Sequence, residues 1–170
     1  ICTHVYPDGG VIERARSFLR VAIASKQGAR QLVRIRCERG ASIAQDLDMP
    51  DRTVHAIRNL DEHWNGKGHP DGLSGRQIPL HARILSIAQT AEVFASRYGL
   101  NAAVRVVRER STTWFDPELV SAFMTLATEK QFWINVLSGR ADEHVRLFEP
   151  EGLILRADAA KIDRICSAFS

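Results

Sequence analysis

A group of potential metal ligands lies in the middle of the chain. Asp61, Glu62 and His63 are consecutive, and His69 follows shortly after them. Carboxylate and imidazole groups are ligands that zinc, iron and manganese accept in proteins. Three consecutive helical residues point in three directions, so they cannot all bind one ion. Asp61 with His69 could still hold an ion together, and the alternative is that all of these are solvated residues beside a tight loop.

A glycine-rich loop, predicted over residues 64–78, follows these ligands directly. Its glycines are Gly66, Gly68, Gly72 and Gly75. Such a density of glycine predicts backbone that turns sharply or approaches another group closely. We therefore expect this loop to be the feature around which the rest of the chain is organised.

Apolar residues before the loop repeat at helical spacing. They predict a helix from about Ile12 that Gly28 interrupts, and a second helix over 29–38, with Leu32 and Ile35 inward, that Gly40 closes. A short helix over 41–47 follows. Another helix runs from about 52 to 63, with Asp51 or Thr53 as its N-cap.

The clearest helix of the chain comes after the loop. Its core-facing stripe is predicted to be Leu80, Ile84, Ile87, Ala91, Phe94 and Tyr98, and Gly99 ends it. Further helices are expected from Leu100 and from Asp116-Pro117, where aspartate is a good N-cap and proline a good first residue. The second of these has the predicted buried stripe Val120, Phe123, Met124 and Ala127.

The last part of the chain gives weaker signals. Residues 130–137 are apolar and end at 138–140, residues 150–152 are typical of a linker, and Asp158 could cap a last helix. No segment shows the apolar–polar alternation of a half-buried strand. The predicted fold class is all-α.

Length and composition indicate at least one domain with a core, since the chain has 170 residues and 45% hydrophobic content. No run approaches the roughly 18 apolar residues of a membrane span, and no signal peptide is visible. Cys2, Cys37 and Cys166 are far apart, which favours a reducing cytoplasm. Because Ile1 opens the chain and the last helical pattern is cut off, we expect a fragment truncated at both ends.

Positive charge is concentrated in residues 11–39, where arginine and lysine far outnumber glutamate. An anionic partner is one interpretation of this region, and a solvated helical face is the one we favour. The helix pair within 41–60 superficially resembles a helix-turn-helix motif, yet few of its side chains could read bases. Nucleic-acid binding is therefore the least favoured hypothesis.

The loop and its flanks resemble the second half of an HD-GYP domain. The residues that carry this resemblance are the run 61–75 (DEHWNGKGHPDGLSG), Ile78-Pro79, Ala82-Arg83-Ile84, and the run 114–120 (WFDPELV). The match covers roughly residues 30–128. It implies an all-α helical bundle of the HD type and a bacterial, metal-dependent phosphohydrolase. Intact members use iron or manganese to activate a water that hydrolyses cyclic di-GMP in signal transduction.

The metal-binding positions of the family are substituted in this chain. Its paired histidines fall on Leu60 and Asp61, and its later aspartate falls on Gln89. His69 replaces the tyrosine of the name-giving triplet, and Asn65 replaces the aspartate before the first loop glycine. The resemblance therefore implies that this piece is a degenerate copy of the active domain, which holds no metal and does not catalyse the reaction by itself. Because the family is one of phosphohydrolases, it remains open whether the chain belongs to an enzyme.

The remaining family residues are interpreted as a structural frame, with direct ligand contact as the alternative. Glu62 is expected to accept loop N–H groups, and Arg83 to pair with Glu62 or to cap loop carbonyls. The full motif set is Glu62, Asn65, Gly66, Gly68, His69, Pro70, Gly72, Leu73, Gly75 and Arg83.

The domain prediction divides the chain into three parts. Residues 1–128 form the end of a degenerate HD-GYP module, 129–157 a helical extension and linker, and 158–170 the start of a further helix. The runs 148–150 and 161–169 resemble the first helix of a second HD-type domain. Two functional hypotheses remain. The first is that the chain is a piece of a cyclic di-GMP phosphodiesterase, and the second is that it is a non-catalytic module that binds cyclic di-GMP, another nucleotide or a signalling protein. The remainder of the parent chain is a further expected partner.

Overall fold

The computed structural model describes residues 11–146, together with Asp163 and Cys166, and it describes side chains from Gly28 onward except those of 143 and 144. The predicted loop over 1–10, the linker at 150–152 and most of the helix from Asp158 lie outside the described residues. Across 11–146 the elements are α1 (Val11–Asp46), α2 (Asp51–Arg58), a single 3-10 turn (Gly75–Gln77), α3 (Leu80–Tyr98), α4 (Leu100–Glu109), α5 (Pro117–Leu126), α6 (Lys130–Leu137) and α7 (Ala141–Arg146).

The all-α prediction is confirmed, because the described residues contain helices and two isolated β-bridges but no strand. Within the same residues, no helix is both long and apolar enough to cross a membrane. Helix α7 was not predicted, since residues 140–157 carry little apolar periodicity.

Helix α1 corrects three sequence predictions at once. It is continuous for 36 residues, so Gly28 does not interrupt it, Gly40 does not end it, and 41–47 is its last part rather than a separate helix. One glycine in a helix costs only about 0.5–1 kcal/mol, which packing can offset. At Gly40 a Cβ would lie 3.0 Å from Ile57 Cγ2. This glycine therefore permits close packing of α1 on α2.

The inward face of α1 also differs from the prediction. Leu32 and Ile35 are 70% and 49% exposed, whereas Cys37, Ala41 and Ala44 are buried. The buried face follows the side of the helix that contacts α2. Helix α2 starts at Asp51, one residue before the predicted start, so Pro50 rather than Asp51 or Thr53 is the N-cap residue. The helix ends at Arg58, before the predicted 63.

Helix α3 has the predicted bounds and ends at Gly99, but its predicted stripe is confirmed only in part: Ile87 and Ala91 are buried and Phe94 packs against the core. Leu80, Ile84 and Tyr98 are 48%, 45% and 66% exposed. The buried residues of this helix are Ala82, Ile87, Ala91 and Ala95. Small alanines let α4 approach closely, which displaces the larger side chains to the flanks. Ile84 lines an apolar groove of about 460 Å³ between α3, α5 and α6.

The main core lies between α3, α4, α5 and α6. Its central residues include Val107, Phe115, Phe123 and Trp133, all of them buried. The predicted start of α5 is confirmed, because the Asp116 side chain accepts from the Glu118 N–H and Pro117 is the first residue. Val120 and Phe123 of the predicted stripe are buried, and Met124 and Ala127 pack partly against them. This core fixes the platform against which the glycine loop is held.

Candidate functional site

Glu62 holds the glycine loop from inside the protein. The residue is 2% exposed, and its Oε1 atom accepts the Asp71 and Gly72 N–H groups at 2.6 and 3.0 Å. A buried carboxylate is stable only when such donors replace its water. The sequence expectation that Glu62 accepts loop N–H groups is thus confirmed.

The loop glycines are required for two different physical reasons. Gly66 and Gly72 have φ angles of 74° and 72°, in the left-handed region that favours glycine. Gly68 is required by space, because a Cβ there would lie 2.1 Å from the His63 nitrogen. The chain crosses itself at this point, so the loop has no room for a side chain.

The turn between α4 and α5 supports the loop from its other side. The N–H groups of Trp64 and Asn65 donate to the carbonyl oxygens of Trp114 and Thr113, both at 3.0 Å. The imidazole of His63 stacks on the indole of Trp114 with ring centroids 4.1 Å apart. Sequence reasoning missed this support, although the two tryptophans within the matched runs 61–75 and 114–120 were a signal for it.

Arg83 does not make the contacts that the sequence analysis expected of it. Its guanidinium pairs with Asp116 at 2.5 Å, and the two side chains are 14% and 2% exposed. It contacts neither Glu62 nor a loop carbonyl in the described hydrogen bonds. Asp116 also caps α5, so one buried carboxylate joins α3 to the start of α5. The Arg83 guanidinium additionally lies 5.8 Å from the centre of the Trp64 ring, which ties this pair to the loop.

The remaining motif residues complete the loop. The Asn65 side chain accepts the Lys67 N–H at 3.0 Å, and the Gly75 N–H donates to the Trp64 carbonyl at 2.9 Å. Pro70 is buried and Leu73 is half-buried. The structure therefore brings the predicted frame residues together in one loop and its supports.

The three family ligand positions do not form a metal site. Leu60 is half-buried and carries no donor atom, while Gln89 is exposed on α3. Asp61 is occupied by protein groups: its carboxylate forms an ion pair with the Arg36 guanidinium and lies 3.3 Å from the Cys37 sulfur. The positive charge that a cation would supply to Asp61 is already present as arginine.

The ligand pair suggested by composition, Asp61 with His69, lies close together at the backbone. His69 meets Asp61 through the backbone, where its N–H donates to the Asp61 carbonyl at 3.0 Å. Among the described residues, no group of three or more His, Cys, Asp and Glu side chains is close enough to hold a metal ion. The divalent iron or manganese of intact family members does not fit this donor set.

The pKa shifts of the residues around Asp61 follow from the same contacts and from burial. The hydrogen bond with Asp61 raises the pKa of Arg36 above its usual value. Burial, reinforced by the hydrogen bond to Asp61, raises the pKa of Cys37 to about 11. Burial lowers the pKa of His63, and His69 lowers it further. At neutral pH the Cys37 thiol is therefore protonated and a poor nucleophile.

The sequence resemblance implied an all-α domain with a glycine loop and a Phe-Asp-Pro helix start. The structure has both, and a buried glutamate holds the loop. The family described as "HD domain" matches residues 24–119. The chain belongs to the HD domain family, and its resemblance to the HD-GYP type is confirmed by its relatives.

Those relatives are named as cyclic-dinucleotide phosphodiesterases. Over 141 residues the chain is 34% identical to the 3'3'-cGAMP-specific phosphodiesterase 3 of Vibrio cholerae, covering 83% of this chain and 31% of that protein. Over 74 residues it is 34% identical to a cyclic di-GMP phosphodiesterase of Thermotoga maritima, covering 40% of this chain and 20% of that protein.

A solved structure extends the similarity to the whole fold. The crystal structure of the cyclic GMP-AMP-specific phosphodiesterase V-cGAP3 of V. cholerae matches with a TM-score of 0.81 and 30% identity, over 99% of this chain and 41% of that one. The chain therefore spans less than half the length of these relatives, and the activities for which they are named belong to the whole proteins.

Proposed function

We propose that this chain is a non-catalytic module of an HD-GYP-type signalling protein related to cyclic-dinucleotide phosphodiesterases. The observation that carries the proposal is the ion pair between Arg36 and Asp61. It places a guanidinium against the one family ligand position that still bears a carboxylate.

The chemistry of the family supports this proposal. Metal-dependent phosphodiester hydrolysis requires donors that hold the ion while it neutralises the phosphate and activates water. Leu60 offers none, and the Gln89 amide is a neutral and weaker donor than the aspartate it replaces. With Asp61 already paired, the residues present can bind and position a ligand, but they cannot assemble that metal centre.

The domain division is part of the same proposal. We assign 1–128 to the module, 129–157 to an extension and linker, and 158–170 to the start of a following helix, in a cytoplasmic parent protein. The alternative function is a regulatory module that holds a nucleotide or a signalling protein. The names of the relatives make cyclic di-GMP and 3'3'-cGAMP the first nucleotides to test.

The test combines metal analysis with an assay of turnover. Purified chain is incubated with iron(II) or manganese(II), dialysed, and measured by plasma mass spectrometry, while hydrolysis of both cyclic dinucleotides is followed by chromatography. We expect no stoichiometric metal and no product. Asp61→Asn and Asp46→Asn are the matched variants, since both remove one carboxylate. Stoichiometric metal that only Asp61→Asn abolishes, or product from either dinucleotide, would refute the proposal.

A further inference from the structure

A second cavity lies between α1 and the glycine loop. It measures about 920 Å³ and is lined by residues 29–31, 33 and 34 of α1 and by residues 66–72 of the loop. This volume is within the range of about 300–1,000 Å³ that is usual for small-molecule sites. None of the family ligand positions, Leu60, Asp61 and Gln89, lines this cleft, although His69 of its lining donates its N–H to the Asp61 carbonyl.

The cleft is positively charged. Arg30, Arg34 and Lys67 line it, together with the imidazole of His69. The single carboxylate among its described lining residues, Asp71, has a nearby cation of its own, because Arg58 lies 3.3 Å from it. Among the ion pairs of the described residues, none involves Arg30 or Lys67. The fixed charge of the cleft is therefore not neutralised by the residues that the structure describes.

Arg34 is held in place at this cleft by the loop itself. Its Nη2 donates to the Pro70 carbonyl at 3.0 Å, which leaves other N–H groups of a planar fork that suits phosphate oxygens. Arg30 lies one helical turn earlier on the same face of α1, so the two guanidiniums are neighbours of like charge. An anion between them would relieve that repulsion.

The loop contributes access as well as charge. Gly66, Gly68 and Gly72 line the cleft without side chains, so a ligand can approach the backbone closely. Among the described lining residues the one aromatic ring is the imidazole of His69, and no Phe, Tyr or Trp adds the larger stacking platform that single-stranded nucleic acid uses. The chemistry of the lining therefore fits a compact phosphate-bearing ligand better than a nucleic acid.

We propose that the cleft between α1 and the glycine loop binds the phosphate groups of a small nucleotide, with Arg30, Arg34 and Lys67 as the cationic donors. This proposal rests on the proposed function, in that it gives the non-catalytic module a ligand. It differs from that function in its site and in its readout, because binding here requires no metal and yields no product.

The probes are 3'3'-cGAMP, cyclic di-GMP and inorganic pyrophosphate, titrated into ¹⁵N-labelled chain at low salt without added metal. We expect saturable shifts of the Gly66, Gly68 and Gly72 amide resonances, and weaker binding when salt is added. Chromatography of the same samples reports hydrolysis separately. Product without glycine shifts would therefore count against the proposed function and this site together, whereas absent shifts without product would count against this site alone.

The variant that tests the site is the double substitution Arg30→Gln with Lys67→Gln. Its matched control is Arg97→Gln with Arg105→Gln, which removes the same charge from exposed positions of α3 and α4. We expect binding to weaken at least about tenfold in the first and to change less than about twofold in the second. Circular dichroism checks that both variants fold.

The outcomes separate the possible ligands. Binding of pyrophosphate as tight as that of the dinucleotides would support a site that recognises phosphate alone, and tighter dinucleotide binding would support one that also contacts the base or sugar. Equal weakening in both double variants would overturn the proposal, because it would indicate general charge attraction. Absence of saturable binding of all probes at millimolar concentration, or a preference for duplex DNA, would also overturn it.

Discussion

Asp61 and Glu62 are adjacent carboxylates in opposite environments. Glu62 is buried under the glycine loop and bonded to two of its N–H groups. Asp61 belongs to the more open side, where its side chain is 25% exposed and its partner Arg36 is 61% exposed. The same contrast holds between the loop frame as a whole (Glu62, the loop glycines, and Arg83 with Asp116) and the family ligand positions.

This contrast shows which part of the family's design the chain has kept. The residues of the loop frame depend on one another, because the buried charges of Glu62, Arg83 and Asp116 are costly unless their partners remain. The ligand positions support no other part of the described fold in that way. Substitution there should remove a donor without unfolding the loop, so we expect the frame to be independent of the ligand positions. Mutations on the two sides should therefore differ in cost.

The largest effect is expected at Gly68. Gly68→Ala would place a Cβ 2.1 Å from the His63 nitrogen, and backbone cannot move away as a flexible side chain can. We expect a loss of roughly 4 kcal/mol or more in the free energy of unfolding, or failure to fold. Chemical denaturation measures it. Gly28→Ala is the control: among the described residues no atom lies within 4 Å of a Cβ placed there, and a gain of about 0.5–1 kcal/mol is expected. Equal effects would contradict the crossing seen at Gly68.

Arg83 gives the next largest effect. Arg83→Met leaves the Asp116 carboxylate buried without its partner, which should cost about 3–5 kcal/mol. Arg76→Met is the matched control, because Arg76 pairs with Glu118 at 3.0 Å with both side chains about three-quarters exposed, and such a pair contributes less than about 1 kcal/mol. Denaturation curves of the two variants compare them directly. A small loss for Arg83→Met would remove this pair from the frame.

The fold was largely predictable because helical periodicity is a local signal. The bounds of α3, the start of α5 and the stop at Gly99 all follow from residues close in sequence. The errors arose where contacts between helices decide whether a helix ends and which of its residues are buried. Gly40 was predicted to end a helix, yet it lies against Ile57. Leu80 and Ile84 were assigned to the core, yet alanines take the closest contacts of α3.

The site was predictable only in part, for the same reason. Glu62 and the loop glycines could be assigned their structural role from the motif, because their partners lie within the loop. The partners of Asp61 and Arg83 could not, since Arg36 is 25 residues from Asp61 and Asp116 is 33 from Arg83. The basic stretch was interpreted mainly as a solvated face, and only the folded chain places Arg34 against Pro70.

A smaller effect is expected on the ligand side. Because the Arg36–Asp61 pair is largely exposed, Arg36→Met should cost less than about 1 kcal/mol. The variant should also gain no stoichiometric metal, since Leu60 and Gln89 still supply no charged donor. Denaturation and metal analysis measure the two results. A loss comparable to that of Arg83→Met would mean that both sides of the loop are equally structural.

The smallest effect concerns pH. Burial and the neighbouring His69 lower the pKa of His63 below its usual 6.5, with Arg110 opposing and Asp61 favouring protonation. Because the unfolded chain then binds a proton more readily than the folded one, the stability contributed by neutral His63 is complete above the usual pKa. It declines as pH falls from there toward the lowered pKa.

His63→Phe separates this contribution from packing. Phenylalanine keeps a ring against Trp114 but cannot titrate, so the variant should lose less stability than the parent chain between about pH 7.5 and 5.5. Melting temperatures at the two pH values give the difference, and groups common to both proteins cancel. If the two lose stability equally, His63 is solvated rather than held between Trp114 and the loop. The stacking of His63 on Trp114 would then have to be removed from the supports of the loop.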